Sequence, residues 1–516
     1  MQLTLAGPGA GKTTDMIKQI VAKLPELQAN RDMALITYTN ESVSDIKKKV
    51  NENICLPKNV FIGTIHSFLV HYFIIPYAFV LGYKSNPITI VDKFDTTGMK
   101  WIDAWVDKTF PDINTRKIRK ESLYQKQYNG RRESAARKGI YTYDSIIKIS
   151  RELALKKDIS RLVSNKIQFL FVDEYQDISK YAHDIIMKLE KQRLTQIAVV
   201  GDPDQSIYRF RYGSSQIGEK APTEDKQPIR ELMALTSDKC RVRKLLVNYR
   251  SSKEIVDFNN KYGTLENQIA EKGSVCKIHY IKTQNPSELF SKIKQIGGEY
   301  ECADYLVLGK KQKIVDHYKL FTEDVAVQND YIDLKSITDY VIAKSGESYK
   351  TFMEKYEFDN YKLRHVAAEL RKRFDIAQLE EKDFISKIKS IIRELYGVSI
   401  QFSDSCYLDD RGKKVTFGYS KKWNNDHEEN CMREIRYMTI HKSKGLEADC
   451  VLVIAETQNE FLKWLNMTPQ KMKSLQDEDY RLGYVAFTRA KKVLILSCLQ
   501  DIDTDSLDKN TFSILC

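Results

Sequence analysis

The sequence predicts an α/β protein built on parallel sheets of the doubly wound type, and three observations support this prediction. Short runs rich in Val, Ile and Leu recur along the chain, as expected for strands buried on both faces. Several runs are followed at once by segments with helical periodicity, and alternating strands and helices are typical of parallel sheets. The composition is that of an ordered chain, because 42% of the 516 residues are hydrophobic and only 22 are Gly and 11 are Pro.

The expected strands, in chain order, are 3–6, 34–37, 169–172, 197–200, 305–308, 451–454 and 493–496. Two stretches interrupt the alternation of strands and helices. Residues 71–140 are helical in pattern, and residues 316–430 are helix-rich, charged and aromatic. We therefore expect both stretches to be insertions into strand–helix cores.

The chain carries 82 Lys and Arg against 70 Asp and Glu, a net charge of +12. This surplus favours a polyanionic partner such as nucleic acid, although ordinary surface charge explains it equally well. Part of it lies in residues 116–138, where nine Lys or Arg stand against Glu121 and Glu133. That stretch fits either a nucleic-acid-facing surface or a solvated helix.

The nine Cys are scattered without a C-x-x-C pair, so neither a zinc site nor a disulfide framework is indicated. The most apolar segment, 68–83, is too short to span a membrane and contains Pro76. No secretory signal is visible at the N-terminus. We expect a cytoplasmic protein without a membrane partner.

A phosphate-binding loop follows the first strand. It reads Ala-Gly-Pro-Gly-Ala-Gly-Lys-Thr-Thr over residues 6–14, with Ala6 where the general pattern has Gly. Backbone N–H groups of such a loop close around phosphate oxygens, Lys12 can reach the β and γ phosphates, and Thr13 can hold Mg²⁺. The candidate nucleotide-binding residues are Gly7, Gly9, Gly11, Lys12, Thr13 and Thr14.

Two further strands end in groups that suit phosphate chemistry. Asp173 and Glu174 follow the strand 169–172, at the end of the sheet where α/β proteins bind ligands. Asp173 would anchor Mg²⁺, and Glu174 would orient or deprotonate the attacking water. Gln205, after the strand 197–200, is an uncharged group able to sense a γ phosphate.

The segment after Gln205 carries Tyr208, Phe210 and Arg211. These side chains offer aromatic and cationic surfaces on which bases can stack. Taken alone, aromatic residues such as these more often take part in core packing.

Taken in order, these segments resemble the motifs of the UvrD/Rep type of superfamily 1A DNA helicases. The resemblance also rests on residues 37–40, 63–68, 141–144, 248–251, 437–447 and 484–490, which follow the order of the family. A P-loop kinase or a transporter ATPase explains the phosphate loop, but not residues 248–251 and 439–447 or Arg489.

The resemblance implies roles for further residues. Tyr249 would pack on the adenine, Glu447 would contact the ribose, and Arg250 would meet the γ phosphate. Arg489 would be the arginine finger. The residues that would contact DNA, besides the three after Gln205, are Thr37, Thr39, Asn40, Thr64, His66, Thr439 and His441.

The resemblance also implies two RecA-like cores, called 1A and 2A. We expect 1A to comprise residues 1–70 and 141–240, and 2A to comprise 241–315 and 431–516. Residues 71–140 would form a helical insertion 1B, and 316–430 a reduced insertion 2B. Lys12, Gln205, Arg250 and Arg489 would converge on one phosphate, with both arginines arriving from the second core.

The activity implied by the resemblance is ATP- and Mg²⁺-dependent movement on single-stranded or 3′-tailed DNA, from 3′ to 5′. The adenine-reading Gln of the family is expected to be missing, because the chain starts five residues before Ala6. Nucleotide selectivity is therefore open.

The size and reduced 2B are similar to the helicase-like subunits of Gabija antiphage systems, which work with a separate nuclease of the overcoming-lysogenization-defect type. Two hypotheses follow from this similarity. The chain is a translocase and helicase, or it is a DNA-end-sensing ATPase that controls a nuclease partner in a hetero-oligomer without productive unwinding.

Overall fold

Two six-stranded parallel sheets form the framework of the computed structural model. The structure describes residues 1–37, 40–51, 56–91, 108–109, 112–207, 227–282, 285–320, 334–345, 349–358, 360–374, 381–402, 435–473 and 478–515. The chain divides into two compact units, residues 1–323 with 433–516, and residues 324–432. Both sheets belong to the first unit.

The first sheet has the strand order β3-β2-β6-β7-β1-β8. Its strands are β1 (Gln2–Ala6), β2 (Asp32–Thr37), β3 (Val60–Thr64), β6 (Ile167–Val172), β7 (Gln196–Gly201) and β8 (Arg241–Leu245). The helices around it are α1 (Lys12–Lys23), α2 (Asn40–Asn51), α3 (Ile65–Leu69), α6 (Tyr143–Leu155), α7 (Lys157–Lys166), α8 (Lys180–Glu190) and α9 (Pro228–Met233). Every strand pair is parallel.

Alternate side chains of each inner strand pack on opposite faces of this sheet. Along β2, Ala34 and Ile36 join a core with residues of α3, α6 and α8. Met33 and Leu35 join a second core with residues of α1 and α2. Burial on both faces explains why the inner strands read as continuous apolar runs in the sequence.

The second sheet has the order β13-β12-β14-β15-β11-β16 and is also parallel throughout. Its strands are β11 (Ile278–Ile281), β12 (Tyr305–Gly309), β13 (Ile435–Thr439), β14 (Ala448–Ala455), β15 (Ala490–Cys498) and β16 (Phe512–Leu515). Its helices are α10 (Lys253–Asn260), α11 (Pro286–Glu299), α12 (Gln312–Leu320), α17 (Gln458–Leu465), α18 (Pro469–Lys473) and α19 (Asp479–Phe487). Along β12, Leu306 and Leu308 pack with α10, α17 and α19, and Tyr305 and Val307 pack with α11 and α12.

Two short strands, β9 (Val247–Asn248) and β10 (Ile269–Ala270), pair with each other between the two sheets. They lie in the chain segment that leads from the first sheet to the second. Their position places residues 248–250 beside the phosphate loop.

The segment 71–140 contains more than helix. A continuous helical stretch runs from Ile65 through α4 (Ile75–Tyr77) to Leu81, and α5 covers Ile113–Arg137. Between them β4 (Thr89–Val91) pairs in parallel with β5 (Ile140–Thr142). In the basic stretch 116–138, Arg132 is buried, so not all of its cationic residues face solvent.

The second unit is helical where the structure describes it. Its helices are α13 (Leu334–Ser345), α14 (Tyr349–Lys355), α15 (Asn360–Arg373) and α16 (Glu381–Tyr396). They enclose a core of their own, which includes Phe352, Leu370, Phe384 and Ile392.

Two of the expected segment boundaries need correction. Strand β8 pairs with β1 along its whole length, so residues 241–245 belong to the first sheet and not to the second core. Helix α12 starts before residue 316 and stays with the first unit, whose limits are 323 and 433. All seven expected strands and the α/β class are confirmed.

No helix among the described residues is long and apolar enough to cross a membrane. Within the same residues, no group of three His, Cys, Asp or Glu is arranged to hold a metal ion by itself.

Candidate active site

The phosphate loop connects β1 to α1 at the carboxyl edge of the first sheet. Gly9 and Gly11 have φ angles of 71° and 73°, a left-handed conformation that favours glycine. Gly11 is the N-cap of α1, so the free N–H groups of the first turn lie at the loop. The Nζ atom of Lys12 lies 3.3 Å from the Ala6 carbonyl oxygen and 3.5 Å from that of Gly7. The loop can therefore present both N–H groups and a cation to a phosphate.

The acidic pair lies at the end of β6, where the backbone turns sharply. Glu174 has a φ of 50°, an uncommon conformation for a residue with a side chain and a frequent one at functional sites. The N–H of Glu174 donates to Asp173 Oδ1 at 2.9 Å. Gln176 donates from its amide to Glu174 Oε2 and accepts from the Asp202 N–H at 2.9 Å. The turn therefore fixes the direction of both carboxylates.

The two carboxyls of the acidic pair and the nearby carboxyl of Asp202 differ in the direction of their pKa shifts. Burial and the neighbouring Glu174 raise the pKa of Asp173 to about 7. Burial also opposes ionisation of Glu174, but Lys444 and Lys12 outweigh it and lower the pKa of that carboxyl. Burial raises the pKa of Asp202 to about 6. Of these three carboxyls, Glu174 is therefore the one whose ionised form the surrounding charges favour.

Gln205 joins the two halves of the first unit, each of which is built on one of the two six-stranded sheets. Its amide Nε2 donates to Asp202 Oδ2 at 2.7 Å, and its Oε1 accepts from Arg489 Nη2 at 3.0 Å. Asp202 follows β7, whereas Arg489 directly precedes β15 of the second sheet. Both Gln205 and Arg489 are buried. The carboxamide therefore has one orientation, set by groups from both halves.

Arg250 does not arrive wholly from the second half, which corrects part of the sequence-based expectation. The neighbouring Tyr249 N–H donates to the Gly9 carbonyl at 3.0 Å, so this segment is attached to the phosphate loop. The Arg250 guanidinium reaches the second half, where Nε lies 2.5 Å from Glu447 Oε2 and Nη1 donates to the Thr488 carbonyl at 3.2 Å. Arg489 alone of the two arginines belongs entirely to the second half.

The positions of the remaining predicted nucleotide-binding residues are consistent with one site. Tyr249 is 53% exposed. A Cβ atom added at Gly11 would lie 3.7 Å from Cδ2 of the tyrosine ring, so the ring lies beside the phosphate loop. Glu447 pairs with Arg250 and also lies 3.4 Å from Lys491. Thr13 is half-buried and Thr14 is exposed, both in the first turn of α1.

Two residues that the sequence did not single out, Lys444 and Gln176, take part in this site. Lys444 comes from the turn after β13 and pairs with Asp177 in the first half. Its Nζ donates to the Gln205 carbonyl at 2.7 Å and lies 4.0 Å from Glu174 Oε2. Lys444 lies inside the range 437–447, and Gln176 lies two residues after Glu174, so proximity to predicted site residues was the available signal.

The predicted DNA-contacting residues are only partly accessible. Thr37 is 1% exposed at the end of β2, so its side chain is buried in this conformation, and its contact with DNA stays a prediction. Thr64 accepts from the Ser67 N–H as the N-cap of α3, and the His66 ring lies 4.9 Å from that of Tyr143. Both Thr64 and His66 remain half-buried.

The structure says less about the other residues that are predicted to contact DNA. Thr439 ends β13, and His441 is half-buried in the turn that follows. Asn40 begins α2. Thr39, Tyr208, Phe210 and Arg211 lie outside the described residues.

The residues at this site fit a magnesium ion bound together with a nucleotide. Hydroxyl and carboxylate oxygens are the ligands that Mg²⁺ prefers, and Thr13 and Asp173 supply them. The buried carboxyl of Asp173 beside Glu174 has an elevated pKa, which a nearby divalent charge would relieve.

The phosphate loop, the acidic pair and the contact of Gln205 with Arg489 together define a P-loop nucleotide-binding protein. Its site lies between the two halves that carry the parallel sheets. Residues 1–211 match the family profile of an AAA domain, and residues 278–501 match that of the UvrD-like helicase C-terminal domain. Together the two matches cover most of the chain, and they support a UvrD-like helicase with DNA-dependent ATPase activity.

Individual relatives agree with the family match. The chain is 22% identical to the Gabija protein GajB of Bacillus cereus (strain VD045), over 96% of this chain and 92% of that protein. It is 23% identical to the ATP-dependent DNA helicase Rep of Buchnera aphidicola subsp. Acyrthosiphon pisum (strain APS), over 96% and 92%. It is 22% identical to the ATP-dependent DNA helicase PcrA of Staphylococcus aureus (strain Mu50 / ATCC 700699), over 96% and 80%.

Tyr249→Ala should weaken ATP binding without affecting the phosphate subsite. The exposed ring at the loop is the surface on which we expect a base to stack, and stacking of this kind contributes about 1–3 kcal/mol. The dissociation constant for ATP, measured by calorimetry, should rise by ~5- to 100-fold. Tyr249→Phe should bind ATP like the wild type, and both variants should bind inorganic triphosphate normally. Equal weakening for triphosphate would mean that the ring supports the loop and not the base.

Proposed function

We propose that this chain is an ATP-driven single-stranded DNA translocase and helicase that moves from 3′ to 5′. The observation that carries the proposal is the meeting of both halves at one site. Lys12 and Glu174 come from the first half, Arg489 comes from the second, and Gln205 is hydrogen-bonded to Arg489 across the seam. A site assembled from two halves can close on ATP and open after hydrolysis, as a motor requires.

The chemistry follows from the positions of the side chains. Glu174, held in its ionised form by Lys444 and Lys12, accepts the proton of the attacking water. Lys12, Arg250 and Arg489 stabilise the charge that develops on the transferred phosphoryl oxygens. When bound, Mg²⁺ supplies further positive charge at these oxygens. Thr13 and Asp173 are the residues that would hold it.

Movement along DNA requires that the two halves grip the strand differently in the closed and open states. Candidate contacts exist on both halves. Thr64 and Thr439 end β3 and β13, and His66 and His441 lie two residues beyond them. Since these residues end or follow strands of the same two sheets that carry the nucleotide site, a change in the cleft is transmitted to both grips.

The similarity to GajB supports a role in antiphage defence with a nuclease partner of the overcoming-lysogenization-defect type. A second candidate function stays open, because GajB, unlike Rep and PcrA, is not named as a helicase. In this alternative, ATP turnover reports a DNA end to the nuclease without strand separation.

A paired assay distinguishes the two functions. The purified chain, alone and with a co-purified nuclease partner, is given ATP with a 3′-tailed duplex, a 5′-tailed duplex or no DNA. The translocase proposal predicts that single strands stimulate ATP turnover by ~10-fold or more and that only the 3′-tailed duplex is separated. ATP turnover without strand separation, both for the chain alone and with the nuclease partner, would instead support the DNA-end-sensing ATPase.

Lys12→Ala is the matched negative control for that assay. Removing the loop cation should abolish nucleotide-dependent activity on every substrate, since the phosphates lose their nearest side-chain donor. Wild-type turnover by Lys12→Ala would contradict the assignment of the nucleotide site.

A further inference from the structure

The carboxamide of Gln268 lies directly against the phosphate loop. A Cβ atom added at Gly7 would lie 2.8 Å from Gln268 Cδ and 2.9 Å from both Nε2 and Oε1. Because these three atoms are nearly equidistant from that position, the carboxamide presents its flat face to Gly7. Gly7 is not among the glycines with a positive φ. A side chain at this position would therefore displace the Gln268 carboxamide, whereas the backbone conformation of Gly7 would not oppose it.

The backbone of Gln268 is held in place by one neighbouring side chain. Asn260, at the end of α10, donates from Nδ2 to the Gln268 carbonyl at 2.9 Å. Its Oδ1 accepts from the Gln268 N–H at the same distance. The strand β10 begins at the next residue and pairs with β9. The approach of Gln268 to the loop is thus built into the fold.

The same strand pair holds the loop at its next two residues. Asn248 Nδ2 donates to the Pro8 carbonyl at 2.8 Å and to Gln268 Oε1 at 3.3 Å. The Tyr249 N–H donates to the Gly9 carbonyl at 3.0 Å. Residues 7–9 are therefore supported from outside by one clasp, which comprises residues 247–250 and 268–270.

One group of this clasp has no hydrogen-bond acceptor. Gln268 Nε2 is buried and without a partner among the described residues. Buried donors of this kind cost about 1–3 kcal/mol when they stay unpaired. Lys12 at present contacts the carbonyls of Ala6 and Gly7 at 3.3 and 3.5 Å, and these carbonyls lose that donor when Lys12 turns to a phosphate.

We propose that Gln268 is a positioning residue of the nucleotide site: its carboxamide supports the outer face of the phosphate loop and replaces Lys12 as a donor to the loop carbonyls when nucleotide binds. This inference rests on the proposed function, since it needs the loop to bind a nucleotide. The clasp contacts the loop and not the terminal phosphate. Gln268 therefore acts on ATP and ADP alike, and its loss raises KM while kcat changes by less than about twofold.

A double-mutant cycle tests the steric part of the proposal. Calorimetry measures ADP binding by the wild type, Gly7→Ala, Gln268→Ala and the double variant. Gly7→Ala should weaken binding ~10-fold, because the new methyl group displaces the carboxamide. In the Gln268→Ala background the same change should have almost no effect. Equal loss from Gly7→Ala in both backgrounds would overturn the proposed support.

Gln268→Met tests the donor exchange, because it keeps the length of the side chain and removes the N–H groups. It should weaken ADP and ATP binding by the same factor, ~3- to 10-fold. Wild-type affinity in Gln268→Met would overturn the exchange even if the variant with Ala fails to fold.

Matched controls come from helix α11. A Cβ at Gly298 meets nothing within 4 Å, and Gln295 is bonded only locally, to Glu299. Gly298→Ala and Gln295→Ala should bind ADP like the wild type. Failure of the wild type itself to bind nucleotide would refute the proposed function, whereas normal binding with an additive cycle would refute only the role of Gln268.

Discussion

Glu174→Gln leaves ATP bound but almost stops its hydrolysis. The carboxylate is the ionised acid of the pair, and Gln cannot accept a proton from water. General-base catalysis contributes about 10²- to 10⁴-fold, so kcat should fall by that factor. The dissociation constant for ATP should stay within about threefold of the wild-type value, because Glu174 acts on the attacking water. Single-turnover hydrolysis and calorimetry measure the two quantities.

The matched control is Glu26→Gln, an exposed glutamate whose partner is the nearby Lys23. It should hydrolyse ATP at the wild-type rate. If Glu174→Gln retained more than about a tenth of the wild-type kcat, another group would have to activate the water.

Arg489→Ala slows hydrolysis much more than it weakens ATP binding. The guanidinium is buried and fixed by Gln205 Oε1 at 3.0 Å, the Val485 carbonyl at 2.9 Å and the Leu446 carbonyl at 3.2 Å. An arginine finger that stabilises the charge on the transferred phosphoryl group contributes about 10³- to 10⁵-fold to kcat. We expect a loss of that size, with an ATP dissociation constant raised by less than about tenfold.

Two further variants help to interpret the result for Arg489→Ala. Arg489→Lys keeps the charge but not the planar fork, and should recover only a small part of the rate. Arg161→Ala removes an exposed arginine of α7 and should leave the rate unchanged. An equal effect of Arg489→Ala on ADP and ATP affinity, with normal kcat, would show that Arg489 is not an arginine finger.

The inner strands of both sheets except β11 could be predicted from the sequence, because burial on both faces demands continuous apolar runs. Strand β11 was missed, since it reads Ile-His-Tyr-Ile and shows no such run. The edge strand β8 could not be predicted either, since Arg241 and Lys244 in it are exposed and its sequence shows no such run. The same reason explains the boundary error at residue 240. Edge strands are recognised by their pairing, which depends on residues far away in the chain.

The candidate site likewise has one part that could be predicted from local sequence and another part that could not. The phosphate loop and the Asp173–Glu174 pair are local patterns, so their positions at strand ends could be predicted. The contacts of Lys444 with Asp177 and of Gln268 with Gly7 join residues separated by hundreds of positions. No local spacing encodes such contacts. The burial of Thr37 depends on packing in the same way and was therefore missed.

The central claim is that both halves of the first unit supply groups to one nucleotide. The most direct test is a structure of the chain with ADP, Mg²⁺ and aluminium fluoride, which imitates the transferred phosphoryl group. We predict that Arg250, Arg489 and Gln205 each lie within about 3.2 Å of the aluminium fluoride or of the water aligned with it. A fully bound analogue contacted by Lys12 and its loop alone, with Arg489 directed elsewhere, would contradict the claim.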